Sequence, residues 1–238
     1  MTILSIETST NVCSVAVQEE GHNIFVKEDV AGPNHARILA PFVEEALRFT
    51  DNHAIPFDAV AVSIGPGSYT GLRIGLSTAK GVCYARELPL ITIPTLELMC
   101  AGPLLTTPDD FEDDALLIPL MDARRMEVYA AVYDRALRVV RDDAADIIDE
   151  NSYQEYLDEK NVYFLGNGMP KCREILGKHP HAHFIDGVYP TAKYMGPLAM
   201  KRLLRNDIAD LAYCEPHYLK EFQATVARDL LEKVKNNK

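Results

Sequence analysis

Residues 58–72 read Asp58-Ala59-Val60-Ala61-Val62-Ser63-Ile64-Gly65-Pro66-Gly67-Ser68-Tyr69-Thr70-Gly71-Leu72. The opening apolar run has the length and character of a strand buried on both faces. The glycines and proline that follow make a turn. Leu72, Leu76, Ala79 and Cys83 then recur at spacings of four, three and four, which stacks them on one face of a helix. A buried strand, a glycine turn and an amphipathic helix are the parts of an α/β domain.

The flanking residues extend this pattern. Upstream, Ile3-Leu4-Ser5-Ile6 ends at a polar corner, Glu7 to Asn11, and Cys13, Val15 and Val17 then alternate with Ser14, Ala16 and Gln18. Glu20-Gly21-His22-Asn23 is a hairpin turn signal, and Ile24-Phe25-Val26 starts a third strand. Ile38, Leu39, Phe42, Val43, Ala46 and Leu47 fit a helix, and Leu88 to Ile93 fits another strand. The first hundred residues therefore read β-β-β-α-β-α-β, a mixed sheet covered by helices.

Downstream, the acidic run Asp109–Asp114 reads as an exposed linker. Leu116 to Leu120 and Glu127 to Tyr133 read as strands around a turn at Arg124-Arg125. Residues 142–159 are polar and acidic, without Lys or Arg. Tyr163-Phe164-Leu165 is a strand ending at Gly166-Asn167-Gly168, with a short helix after Pro170. Met195 to Leu204 is helical, and Val226, Leu230 and Val234 predict a terminal helix. No strict internal repeat is present, but two α/β halves of similar build are expected.

With 238 residues, 47% apolar, the chain can bury a substantial core as one large or two small domains. The formal net charge of −11 argues against a broad nucleic-acid-coating surface, which needs a basic face. The start of the chain lacks the basic, then apolar, pattern of an export signal, and no run reaches the ~18 apolar residues of a membrane span. The five cysteines are scattered without a Cys-x-x-Cys pair, so neither a zinc knuckle nor a disulfide framework is expected. Together these features predict a reduced, cytoplasmic protein.

Among candidate chemical groups, the Gly65–Gly71 loop precedes a helix N-terminus, where free N–H groups could hold an anion. It is neither a Walker A loop nor a dinucleotide fingerprint. The competing reading is a tight turn with Ser68 or Thr70 as N-cap. Thr8-Ser9-Thr10 at the end of the first strand could face a phosphate or satisfy turn backbone. Asp122 with Arg124 could bind a ligand across a cleft or pin a hairpin. His179, His181 and His183 alternate, but Pro180 interrupts them, and a solvated loop or edge strand is the better reading. No metallopeptidase helix or nucleophile elbow occurs.

Ile3 to Ser9, the run Gly65-Pro66-Gly67-Ser68-Tyr69-Thr70-Gly71-Leu72-Arg73-Ile74-Gly75 with Ala79-Lys80-Gly81, and Asp122-Ala123-Arg124 with Glu127-Val128-Tyr129 together resemble the bacterial TsaB (YeaZ) family. The match in order and spacing spans about the first 135 residues. Weaker echoes occur at Gly166-Asn167-Gly168 and Pro216-His217-Tyr218-Leu219. Tyr69 stands where Phe is usual, and Glu7 where Asp is common. The resemblance implies an actin-like ATPase (ASKHA) fold of two α/β lobes. It implies a first lobe over 1–104 carrying dimerisation helices, a second over 105–218, and a terminal helix over 219–238 packing back on the first.

The resemblance also implies a function. It is that of a non-catalytic scaffold for making threonylcarbamoyladenosine at position 37 of tRNAs that read codons starting with A. The implied partners are a catalytic TsaD-type subunit, a TsaE-type ATPase and, in isolation, a second copy of the chain, with tRNA engaged indirectly. TsaD-type proteins carry a metal-binding His-x-Glu-x-His segment. Here it reads Thr95-Leu96-Glu97-Leu98-Met99, which keeps only the glutamate. Neither Thr95 nor Met99 replaces imidazole as a ligand for Zn²⁺ or Fe²⁺. Neither a resident metal nor a required cofactor is therefore expected.

ATP or ADP could still bind in the cleft or at an interface, near Thr8, Ser9, Thr10, Gly65 and Gly67. The implied dimer surface is built from His35, Leu39, Phe42 and Val43 on one helix, and Gly71, Leu72, Arg73, Gly75, Leu76, Thr78 and Ala79 on the next. The alternatives are a small-molecule kinase of the same superfamily, with Glu7 and Asp122 as its only placed carboxylates, and a metallopeptidase.

Overall fold

The computed structural model describes residues 1–32 and 34–220. The helix expected over 219–238 lies almost entirely outside the described residues.

Three strands open the chain, β1 (Thr2–Glu7), β2 (Cys13–Glu19) and β3 (His22–Asp29). Helix α1 (His35–Asn52) leads to β4 (Ala59–Gly65), α2 (Tyr69–Arg86) and β5 (Leu90–Pro94). This is the order expected from the sequence. The sheet runs β3-β2-β1-β4-β5, antiparallel across the opening meander and parallel from β1 through β4 to β5. All six residues of β1 are buried, as befits a central strand covered on both faces.

The second half repeats the plan. Strands β6 (Leu116–Asp122), β7 (Glu127–Asp134) and β8 (Val139–Ile147) form a meander. Helix α4 (Gln154–Leu157), β9 (Val162–Leu165), α5 (Met169–Leu176) and β10 (Ala182–Ile185) follow. The sheet runs β10-β9-β6-β7-β8 with the same pattern of parallel and antiparallel pairs. Read from β8 to β10, it matches the first sheet strand for strand. The duplication is thus one of topology without sequence repetition. Strand β8 falls partly in the acidic stretch, where the sequence predicted no element.

Each half ends in a helix that reaches the other half's sheet. Helix α3 (Thr95–Thr106) packs on β6 and β7 as well as on β4 and β5, and Thr95 through Pro103 are all buried. A helix apolar all round belongs in the interior, and this one forms the base joining the two lobes. Helix α6 (Met195–Leu204) returns to the first lobe and covers β1, β4 and β5. No helix among the described residues is long and apolar enough to cross a membrane.

Candidate functional site: the cleft between two matching turns

The duplicated topology sets two equivalent turns face to face. The β1–β2 turn contributes Ser9, Thr10 and Asn11, and the β6–β7 turn contributes Asp122 to Arg125. Between them lies a cleft of about 620 Å³, walled by the Pro66–Tyr69 loop, Asn167 and residues 217–220.

The glycine loop closes on β1 with little room to spare. The Ser68 N–H donates to the Ser9 carbonyl at 2.6 Å. A Cβ on Gly67 would stand 2.5 Å from that carbonyl oxygen, and one on Gly71 would stand 2.1 Å from the Thr8 carbonyl oxygen. Ser68 caps α2, its Oγ accepting from the Gly71 N–H at 3.2 Å. The turn-and-cap reading of this loop is therefore correct. The glycines bring helix and strand together, and their backbone approach is spent on Thr8 and Ser9.

The five candidate nucleotide contacts separate accordingly. Ser9, Thr10 and Gly67 line the cleft. Thr8 is fully buried and donates its hydroxyl to the Gly71 carbonyl at 2.8 Å. Gly65 lies beneath His217, whose carbonyl oxygen would be 2.3 Å from an added Cβ.

Below the turn, Glu7 is wholly buried, and its Oε1 accepts from the Ser9 N–H at 2.5 Å. Its Oε2 is buried together with the hydroxyls of Ser9 and Ser63. Burial pushes the Glu7 carboxyl above its ordinary range, with the hydroxyls of Ser63 and Ser9 and then the N–H groups of Ser9 and Thr8 opposing.

Across the cleft, Asp122 forms an ion pair with Lys171 and accepts from the Arg124 N–H at 3.2 Å, while the Asp122 backbone N–H donates to the Asn167 Oδ1 at 3.0 Å. Asp122 therefore pins the hairpin. Arg124 and Arg125 both adopt left-handed backbone, at φ +73° and +48°, which bulky residues take up at a cost. Their side chains are exposed at the cleft, without an ion pair among the described residues.

The segment matching a metal site is structural here. Thr95, Glu97 and Met99 are buried in α3. Both Glu97 oxygens face Arg202 of α6, with Oε2 2.5 Å from Nη2 and Oε1 3.3 Å from Nη1. This bidentate pair fastens the two helices. Its donor set does not fit a metal: the carboxylate is taken, Thr95 is a weak neutral donor and Met99 a lone thioether. Arg202 lies 105 residues from its partner, and its spacing carries no signal of the pairing.

Most of the eleven residues assigned to the dimer surface lie within the protomer. Leu39, Val43, Leu72, Leu76 and Ala79 belong to its own core, and His35, Gly71 and Gly75 are buried too. Gly75 faces the Thr8 side chain, with 2.2 Å between an added Cβ and Oγ1. Phe42 and Thr78 are half-buried, and Arg73 is exposed. Ile38, Phe42 and Leu47 of α1, each half-buried, pack against the same core. Thr70, Arg73, Ser77, Gly81 and Tyr84 form one exposed stripe along α2, with Ala85 and Arg86 exposed at its end.

The three alternating histidines do not converge. His179 sits 3.4 Å from Asp158, the His181 ring bonds the Leu157 carbonyl, and His183 on edge strand β10 bonds Asn161. No group of three or more His, Cys, Asp or Glu among the described residues is placed to hold a metal ion.

Comparison with known proteins completes the assignment. The family model for TsaD, tRNA N6-adenosine threonylcarbamoyltransferase, matches residues 26–236. The chain is 27% identical over 226 residues to the tRNA threonylcarbamoyladenosine biosynthesis protein TsaB of Escherichia coli K12, covering 92% of this chain and 95% of that one. It is 30% identical over 162 residues to the threonylcarbamoyltransferase of Nitrosomonas europaea, but spans only 48% of that longer protein. The solved structure of YeaZ from Pseudomonas aeruginosa superposes with a TM-score of 0.76 at 24% identity, over 92% of this chain and 99% of that one. The two matching lobes are those of the actin-like ATPase fold. The chain thus belongs to the TsaD family and, within it, to the TsaB (YeaZ) branch.

Proposed function

We propose that the chain is a non-catalytic dimerisation subunit in the formation of threonylcarbamoyladenosine at position 37 of tRNAs reading codons that start with A. In this reading it works in the cytoplasm beside a TsaD-type catalytic subunit and a TsaE-type ATPase, and pairs with itself when alone. The observation that carries the reading is the state of Glu97. The one residue kept from the metal-binding segment is engaged by Arg202, and its neighbours Thr95 and Met99 are core residues. A chain with this arrangement supports a partner's chemistry rather than performing it.

The kinase alternative finds less support, because Glu7 is enclosed and Asp122 is paired with Lys171. An anionic ligand such as ATP or ADP in the cleft is supported by the exposed guanidinium groups of Arg124 and Arg125, which have no ion pair among the described residues. Reconstitution tests the proposal. Mixed with its TsaD and TsaE counterparts and tRNA, the chain is required for modification and yields none alone. Modification that proceeds unchanged without it refutes the reading.

The docking face follows from exposure. Leu39 and Gly75 are buried, so substitutions there report folding. An added Cβ on Gly81 meets nothing within 4 Å, so Gly81→Arg is accommodated by the protomer. It splits both the self-assembly and the TsaD assembly if the exposed stripe of α2 is the shared face. Both assemblies surviving in gel filtration rules that face out.

A further inference from the structure

Among the described residues the crossing from β10 to α6 ties the second lobe to the first, with Ala192 bonded to Gln18 and Ser14, and two further joints flank the cleft. At the base, α3 is buried between the sheets. At the mouth, the segment Glu215–Lys220 crosses from one lobe to the other, and its last four residues form a wall of the cleft. The two ends of this crossing are held by different kinds of contact.

On the first lobe the hold is backbone and packing. The His217 N–H donates to the Ile64 carbonyl at 2.7 Å, at the end of β4. Gly65 admits the His217 carbonyl to a distance that no Cβ would allow. The Tyr218 ring lies 5.0 Å from the Tyr69 ring, and Arg73 Nε donates to its hydroxyl at 3.0 Å. Just before the segment, Cys214 packs against the first-lobe core.

On the second lobe the hold consists of two exposed side-chain contacts, a histidine–carboxylate hydrogen bond and a lysine–glutamate ion pair. His217 Nε2 lies 2.7 Å from Asp143 Oδ2 on β8, and Lys220 pairs with Glu127 on β7. The side chains are 48% and 28% exposed in the first pair, and 41% and 22% in the second. Contacts of this kind are weak and screened by salt. Buried backbone hydrogen bonds and packed rings are not.

We propose that Glu215–Lys220 is a latch across the mouth of the cleft. It is anchored on the first lobe and released from the second through His217–Asp143 and Lys220–Glu127, and it sets how far the lobes open about α3. The inference rests on the geometry of the cleft and not on what the cleft binds. When the latch lets go, the segment stays with β4 and α2, and the Arg124–Arg125 turn moves away from Ser9.

Double electron–electron resonance tests this in the full chain. Spin labels go on the exposed positions Arg48→Cys in α1 and Glu174→Cys in α5, in a Cys214→Ser background. In the variant Asp143→Ala/Glu127→Ala, the distance distribution moves to longer values and broadens. Salt at about 1 M, where the Debye length falls to roughly 3 Å, moves the parent chain part of the way and the double variant no further. Hydrogen exchange shows the His217 amide still protected in the variant. A distribution that superimposes on the parent's overturns the latch, and so does loss of His217 protection on opening. Retained protection in β1 and β6 verifies the fold. If the double variant fails to fold, Asp143→Ala alone gives the same comparison with a smaller shift.

Discussion

Removing Arg202 strands Glu97. The carboxylate is 8% exposed and the guanidinium 18% exposed, joined through two nitrogen–oxygen contacts at 2.5 and 3.3 Å. Arg202→Met keeps the aliphatic stem that packs along α6 but leaves the carboxylate buried and unpaired. Breaking a buried pair from one side costs about 3–5 kcal/mol. The partial exposure of Arg202 puts this case near the lower end, about 3 kcal/mol. In a chain of this size that is a fall in melting temperature of roughly 6–12 °C. Glu97→Leu/Arg202→Met removes both charges, and its loss should be no more than about 1 kcal/mol. The coupling between the two sites is then most of the single-variant loss.

Urea titration and thermal melts of the parent, both single variants and the double variant close this cycle. The pH dependence supplies a second readout. In Arg202→Met the stranded carboxyl binds a proton more tightly folded than unfolded. The deficit therefore shrinks as pH falls into the carboxylate range and is full at neutral pH. A loss under about 1 kcal/mol with no pH dependence refutes the buried pair. A stoichiometric metal in the parent chain, released on changing Glu97 and His35, refutes it by another route.

Gly71→Ala drives a Cβ into the Thr8 carbonyl and should destabilise by about 1–3 kcal/mol in a urea titration. Gly81→Ala, on the open face of the same helix, should instead stabilise by about 0.4–1 kcal/mol. The raised Glu7 carboxyl keeps its proton in the folded chain above the ordinary value of 4.5, so its contribution to stability falls as pH rises from there through the folded value. Glu7→Gln should flatten that slope in melts run across pH and leave the chain more stable at neutral pH. Burial pushes the Cys13 and Cys83 thiols up to about 12, so maleimide at neutral pH should label half-buried Cys214 well before either.

Much of the fold is legible in local pattern. The opening β-β-β-α-β-α-β order follows from two clear periods, two for β2 and near 3.6 for α1 and α2, with Gly-rich punctuation between them. The Ser68 cap and the hairpin turn at Arg124-Arg125 follow from short-range chemistry in the same way. Besides the single turn of α4 in the acidic stretch, two longer elements escape this reading. Strand β8 is an edge strand whose residues alternate only loosely between exposed and half-buried, and its three aspartates mask the pattern. Helix α3 has no polar face, because it is covered on all sides by both sheets and α6, so it shows no helical period.

The site divides along the same line. The Thr8–Thr10, Gly65–Gly71 and Asp122–Arg125 segments stand out in the sequence because glycines, hydroxyls and charges cluster there. Their roles do not, because a glycine needed to approach Thr8 and a glycine needed to approach a ligand look alike in one dimension.

The sequence by itself determined the element order of the first hundred residues and the family, since each rests on residues a few positions apart or on a contiguous motif. Only the tertiary structure decided that Gly71 and Gly75 of α2 face Thr8, that Glu97 belongs to Arg202, and that His217 reaches both Ile64 and Asp143. These pairings join residues tens to more than a hundred positions apart. What selects them is packing and the desolvation of charge, and both act through space.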